Sequence, residues 1–139
     1  MEKTKIDNLI KAALEARGRA YAPYSGYAVG AALLTQDGKI YQGCNVENAS
    51  YGATNCAERT AFFKAVSEGE RFFTAIAISG GKKDEVPTDY AYPCGICRQV
   101  MSEFVSADFL VYVVKSETDY REYRFEELLP YGFGAEQIL

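Results

Sequence analysis

Three cysteines stand where chemistry could be done: Cys56, and the pair Cys94 and Cys97 within Pro93-Cys94-Gly95-Ile96-Cys97. Each site opens a segment whose pattern predicts a helix. Helix N-termini carry partial positive charge and free N–H groups, which favour thiolate over thiol. A proline ahead of the start and a glycine inside the Cys-x-x-Cys loop suit a tight ligand turn. Three protein ligands plus an open position is the format of catalytic zinc, which takes thiolates at about 2.3 Å. Three thiolates leave the Zn2+ centre with a net negative charge. Arg59 is the counter-charge within reach, able to donate hydrogen bonds to the sulfurs. The residues alone leave blander readings open. Three cysteines can hold a structural zinc, although such sites usually close their shell with a fourth ligand. Glu58 can be an ordinary first-turn carboxylate favoured by the helix dipole. Cys44, mid-strand in an apolar context, reads as a buried core thiol.

The elements that must position these groups follow from periodicity. Ile6, Leu9, Ile10, Ala13 and Leu14 predict an amphipathic first helix ending near Arg17-Gly18, where glycine permits a left-handed turn. Residues 28–34 and 39–45 flank Asp37-Gly38 and predict a hairpin, its first strand apolar enough to be buried on both faces. A second helix is expected from Asn55 to Ser67, stopping at Gly69, then a strand over Phe73–Ile78. Residues 80–92 read as a polar connector in which Lys82–Glu85 is a solvated charge run. A helix over Cys94–Phe104, strands over Phe109–Val114 and Tyr120–Phe125, and a short tail helix complete the chain. Strands interleaved with helices predict an α/β fold: one three-layer domain over residues 1–139, with a mixed five-stranded sheet flanked by helices.

Composition narrows the functions. At 139 residues with net charge −4, nothing in the overall charge supplies the basic face that wrapping a polynucleotide needs; a local basic patch stays open, but no nucleic-acid partner is expected. The absence of histidine excludes Ser-His and Cys-His nucleophilic machinery and any imidazole ligand. The start of the chain has no apolar signal core, and the longest apolar runs are far too short for a bilayer. The expected setting is therefore the reducing cytoplasm, without a membrane partner, where cysteines more often bind metal or catalyse than cross-link.

Several motifs in one order give the chain its resemblance. They are Tyr21-Ala22-Pro23-Tyr24-Ser25, Val29-Gly30-Ala31-Ala32-Leu33, Gly43-Cys44-Asn45-Val46-Glu47-Asn48, Cys56-Ala57-Glu58-Arg59-Thr60-Ala61, Cys94-Gly95-Ile96-Cys97-Arg98-Gln99-Val100, and Glu127-Leu128-Leu129-Pro130 followed by Phe133. Together they resemble the small, homotetrameric, zinc-dependent cytidine deaminases of the three-cysteine type, over nearly the whole chain. The resemblance implies one Zn2+ per subunit on Cys56, Cys94 and Cys97, and Glu58 as the proton carrier in hydrolytic deamination of cytidine or deoxycytidine for pyrimidine salvage. It also implies Asn45 and Glu47 on the ribose hydroxyls, the Ala57 backbone on the base, and Tyr27 as a pocket aromatic. Tyr51 and Phe133 would enter a neighbouring subunit's site.

Three positions depart from that pattern. Tyr27 stands where phenylalanine is usual, Tyr92 where a small serine or threonine precedes the proline, and Ile96 where alanine is usual. The segment 80–92 is also longer than usual. These departures leave open a modified cytosine nucleoside such as blasticidin S, while Glu47 favours an ordinary ribose. A zinc-stabilised binding module without turnover, and an editor acting on a flipped polynucleotide base, are the readings from other classes.

Overall fold

In the hairpin formed by β1 (Tyr27–Thr35) and β2 (Ile40–Cys44), Gly38 at φ 92° makes the turn that Asp37-Gly38 predicts. The structure, a computed structural model, describes residues 1–139. β1 pairs antiparallel with β3 (Phe73–Lys82), β3 runs parallel to β4 (Leu110–Ser116), and β4 pairs antiparallel with β5 (Asp119–Arg124). The sheet order is β2-β1-β3-β4-β5, the mixed five-stranded arrangement expected from the sequence.

Helices cover both faces. On one lies α1 (Lys3–Ala16), whose Leu9, Ile10 and Ala13 pack on Ala32, Ala75, Ala77, Tyr112 and Val114. On the other lie α2 (Ala57–Ser67), α3 (Gly95–Phe104) and the short α4 (Phe125–Leu128). Phe62 is fully buried there, with ring centroids of Phe73 and Phe104 at 5.2 and 6.0 Å. Strand residues alternate between the two layers at period two, so Ala31, Leu33, Ile76 and Ile78 face α2 while Ala32, Ala75 and Ala77 face α1. No helix is long and apolar enough to cross a membrane.

Three local expectations are corrected. Gly18 does not turn left-handed; the chain leaves α1 by tightening into a 3-10 turn over Arg17–Arg19. β3 runs four residues past Ile78, to Lys82, because Val29, Ala28 and Tyr27 supply ladder partners for Gly80, Gly81 and Lys82. Cys44 is half-buried rather than core, since β2 is an edge strand and its Sγ lies 3.4 Å from the Arg19 carbonyl. The Lys82–Glu85 run is exposed as expected, with Arg17 donating to the carbonyls of Lys82 and Glu85.

Candidate metal centre and active site

Both helix starts that carry the cysteines arrive at the same end of the sheet. Cys56 and Cys94 are the N-caps of α2 and α3, each in extended backbone (φ −77° and −69°), and neither uses its side chain to cap the helix. The first-turn N–H groups are therefore not satisfied by the side chains of the cap residues. Cys97 sits in the first turn of α3 and is buried. The Cys56 and Cys94 sulfurs are 3.8 Å apart, and all three Sγ atoms lie within 4.8 Å of one another. Tetrahedral zinc with Zn–S of about 2.3 Å sets neighbouring sulfurs about 3.8 Å apart. The donor set fits zinc. Cys44 is turned toward Arg19 and cannot close the shell.

Electrostatics reinforce the geometry. A hydrogen bond from Cys97, outweighing burial and aided by Arg59 and Cys94, holds the Cys56 thiol well down, at about 5. The Cys97 thiol is pushed up, by its hydrogen bond to Cys56 and by burial. Arg59 Nη2 donates to Cys56 Sγ at 3.3 Å. Burial works against the Arg59 charge, but its bonds to the two sulfurs outweigh that and raise its pKa. Glu58 is 4% exposed, and burial pushes its carboxyl up to about 7.

A cavity of about 380 Å³ opens on this centre, lined by Cys56, Ala57, Glu58 and Cys94 together with Tyr27, Asn45, Val29, Thr54, Ile78, Tyr90, Ala91 and Tyr92. Asn45 is buried and spends both ends of its amide on β1, accepting from the Val29 N–H and donating to the Tyr27 carbonyl, each at 2.8 Å. Glu47 lies in an adjoining hollow with Tyr24, Ser25, Tyr51 and Thr54. Its carboxylate accepts from the N–H groups of Tyr24 and Ser25, each at 3.0 Å, and from the Ser25 hydroxyl. The Ser25 hydroxyl is the main reason its pKa is held below the usual carboxylate range. Thr54 borders both hollows. Tyr51 and Phe133 do not line the cavity, and their side chains stand out, 78% and 58% exposed. Ile96 is exposed as well.

The structure adds residues that the sequence did not single out. Arg98 Nε donates to the Pro93 carbonyl and its Nη1 to the Leu128 carbonyl, both at 2.8 Å, tying the cysteine loop to α4. Val29 and Ile78 form an apolar wall, and their place on the α2 face is readable from alternation once Ala31 and Ile76 are assigned there. Thr54, Tyr90 and Ala91 carried no signal of their own.

A fold that holds three cysteine sulfurs beside a buried carboxylate at the floor of a small cavity defines a class of zinc-site protein. Residues 3–113 match the family described as the cytidine and deoxycytidylate deaminase zinc-binding region. The chain is 54% identical over 130 residues to the cytidine deaminase of Halalkalibacterium halodurans, covering 94% of this chain and 95% of that one. The crystal structure of cytidine deaminase from Burkholderia pseudomallei superposes with a TM-score of 0.84 at 47% identity, covering 96% of this chain and all of that one. That of the Mycobacterium tuberculosis enzyme gives 0.76 at 39% identity, covering 93% and 97%. The chain belongs to the cytidine and deoxycytidylate deaminase family.

Proposed function

We propose that the protein hydrolyses free cytidine and deoxycytidine to uridine and deoxyuridine with release of ammonia, and that residues 1–139 form one catalytic domain. The observation that carries this is the buried Glu58 carboxylate beside the three-sulfur cluster, on the floor of a cavity of nucleoside size. Cys56, Cys94 and Cys97 would hold one zinc per subunit. When bound, zinc supplies Lewis acidity that brings the pKa of water toward neutrality. Glu58 carries the protons: its carboxylate takes one from the attacking water, delivers it to ring N3, and moves a second to the amino group on C4 as the C–N bond breaks. Water enters, ammonia leaves, and C4 becomes a carbonyl.

The remaining residues orient the substrate. The Ala57 backbone and the Tyr27 ring meet the base, with Val29 and Ile78 as apolar walls. Asn45, whose amide keeps one N–H and one lone pair beyond its bonds to β1, and Glu47 take the ribose hydroxyls. Glu47 already accepts three hydrogen bonds, and a carboxylate offers about four lone-pair sites, so one acceptor position remains for a sugar. The exposed rings of Tyr51 and Phe133 support a homotetramer in which they complete neighbouring sites. Free thiols and an acidic balance support a cytoplasmic salvage enzyme acting on free nucleosides rather than nucleic acid.

Ammonia release from cytidine and deoxycytidine, with Glu58→Ala in parallel, tests the reading. We expect turnover by the parent, a loss of about 10²- to 10⁴-fold in the variant, and zinc retained in both. Turnover of a modified cytosine nucleoside in preference to cytidine would move the assignment to that substrate. A zinc-loaded, folded parent that turns over neither would support the binding module.

A further inference from the structure

The segment between β3 and α3 forms the outer wall of the cavity through Tyr90, Ala91 and Tyr92. Its outer part is tied at Lys83, whose N–H donates to the Gly26 carbonyl, at the Glu85 carbonyl by Arg17, and by the buried Pro87, while Asp84, Val86, Thr88 and Asp89 are exposed. The inner part, with Tyr90 against the core, is gripped from the far edge of the sheet. On β5, Asp119, Arg121 and Tyr123 alternate with Tyr120, Glu122 and Arg124, and the Tyr123 side chain packs on the α2 layer. Tyr90 and Tyr92 repeat at the same spacing of two and meet them. The Tyr90 hydroxyl donates to Asp119 at 2.5 Å. The Arg121 guanidinium lies 4.2 Å from the Tyr90 ring centroid, and Lys115 Nζ lies 5.3 Å from it. Arg121 Nη1 also donates to the Tyr92 hydroxyl at 3.3 Å, and that hydroxyl shares a 2.6 Å hydrogen bond with the Tyr123 hydroxyl. The Tyr92 and Tyr123 rings meet edge to face with centroids 5.7 Å apart.

We infer that Asp119, Arg121 and Tyr123 are positioning residues that hold Tyr90 and Tyr92 as a fixed wall of the nucleoside cavity and thereby strengthen substrate binding. The inference rests on the deaminase reading of that cavity. Arg121 is the centre of the clasp, since it alone touches both tyrosines. It makes none of the contacts that define the zinc cluster or Glu58, so its effect belongs to binding rather than proton transfer. A wall ordered in advance removes the loss of freedom that substrate would otherwise have to impose on binding.

The test is Arg121→Ala, with Arg121→Lys beside it, read by steady-state kinetics on cytidine, zinc content, and hydrogen exchange over residues 88–92. We expect Arg121→Ala to raise KM roughly five- to tenfold, the effect of losing one cation–π contact and one hydrogen bond, with kcat within about twofold. Exchange over residues 88–92 should quicken while bound zinc is unchanged. The lysine variant keeps a cation beside Tyr90 and should recover part of the KM loss. An unchanged KM overturns the inference, whether or not the segment exchanges faster. So does a loss of zinc in Arg121→Ala, which would make the clasp a support for Cys94 instead of a binding wall. A parent enzyme without turnover would defeat the deaminase reading instead, and exchange would still decide whether Arg121 holds the segment.

Discussion

Arg59 is the side chain that lets three sulfurs converge. Its Nη2 is bonded to Cys56, while its Nε is buried without a partner among the described atoms. Removing it leaves a negative cluster at the cavity floor uncompensated. Arg59→Ala should therefore weaken zinc binding by about 10- to 100-fold, as measured by competition with a chromophoric chelator. Glu47 acts differently, through the Tyr24-Ser25 turn it holds and the acceptor site it keeps free. Glu47→Gln should raise KM for cytidine about five- to tenfold with little change in kcat, an effect read from initial rates. The three-sulfur cluster was legible in the sequence because each cysteine stands at a helix start, and Cys56, Glu58 and Arg59 fall within one turn. Tyr90 and Thr54 were not, because their place in the wall depends on where two loops settle over the sheet. The sequence marked Tyr92 as a departure but could not show its bond to Tyr123, a residue 31 positions away.

At the level of elements, the site depends on how closely α2 rides on the hairpin. A Cβ on Gly43 would lie 2.4 Å from the Ala57 carbonyl and 2.6 Å from the Ala61 nitrogen. Both are helix backbone, so nothing flexible can move aside. Gly43→Ala should push α2 off β2, costing roughly 1–3 kcal/mol in urea unfolding, and displace Cys56 and Glu58 at its start. Activity should fall further than stability alone accounts for. Gly30 does the same for α1 on the opposite face, with its Cβ position 2.2 Å from the Ala13 carbonyl. Gly30→Ala is thus the control that destabilises through α1 rather than through the helices that carry the cysteines. The hairpin, the helices and the mixed five-stranded sheet were readable from period and turn residues, and the order of strands within that sheet was not. The length of β3 was not, because Gly80 and Gly81 look like loop residues until β1 supplies their partners. The close packing explains them: a Cβ on Gly80 would meet the Tyr27 ring at 2.9 Å and Ala91 at 2.8 Å.

In the molecule as a whole, the cluster joins halves of the chain that the sequence keeps apart. Cys56 and Cys94 are 38 residues distant, one reached through the β1–β2 hairpin and the other through β3. A metal bound there favours the folded state over the unfolded one by mass action. The melting temperature should therefore rise with free zinc and fall on chelation, and Cys94→Ser should flatten that dependence in a thermal scan. The strand that fastens the cavity wall has a second consequence. β5 is the last of its sheet, and along it Arg121, Glu122 and Arg124 are all exposed. Any sixth strand arriving from another chain would have to bury those charges to reach the open backbone groups. Arg121, which keeps the pocket in shape, thus also joins Glu122 and Arg124 in guarding the border of the sheet against runaway stacking.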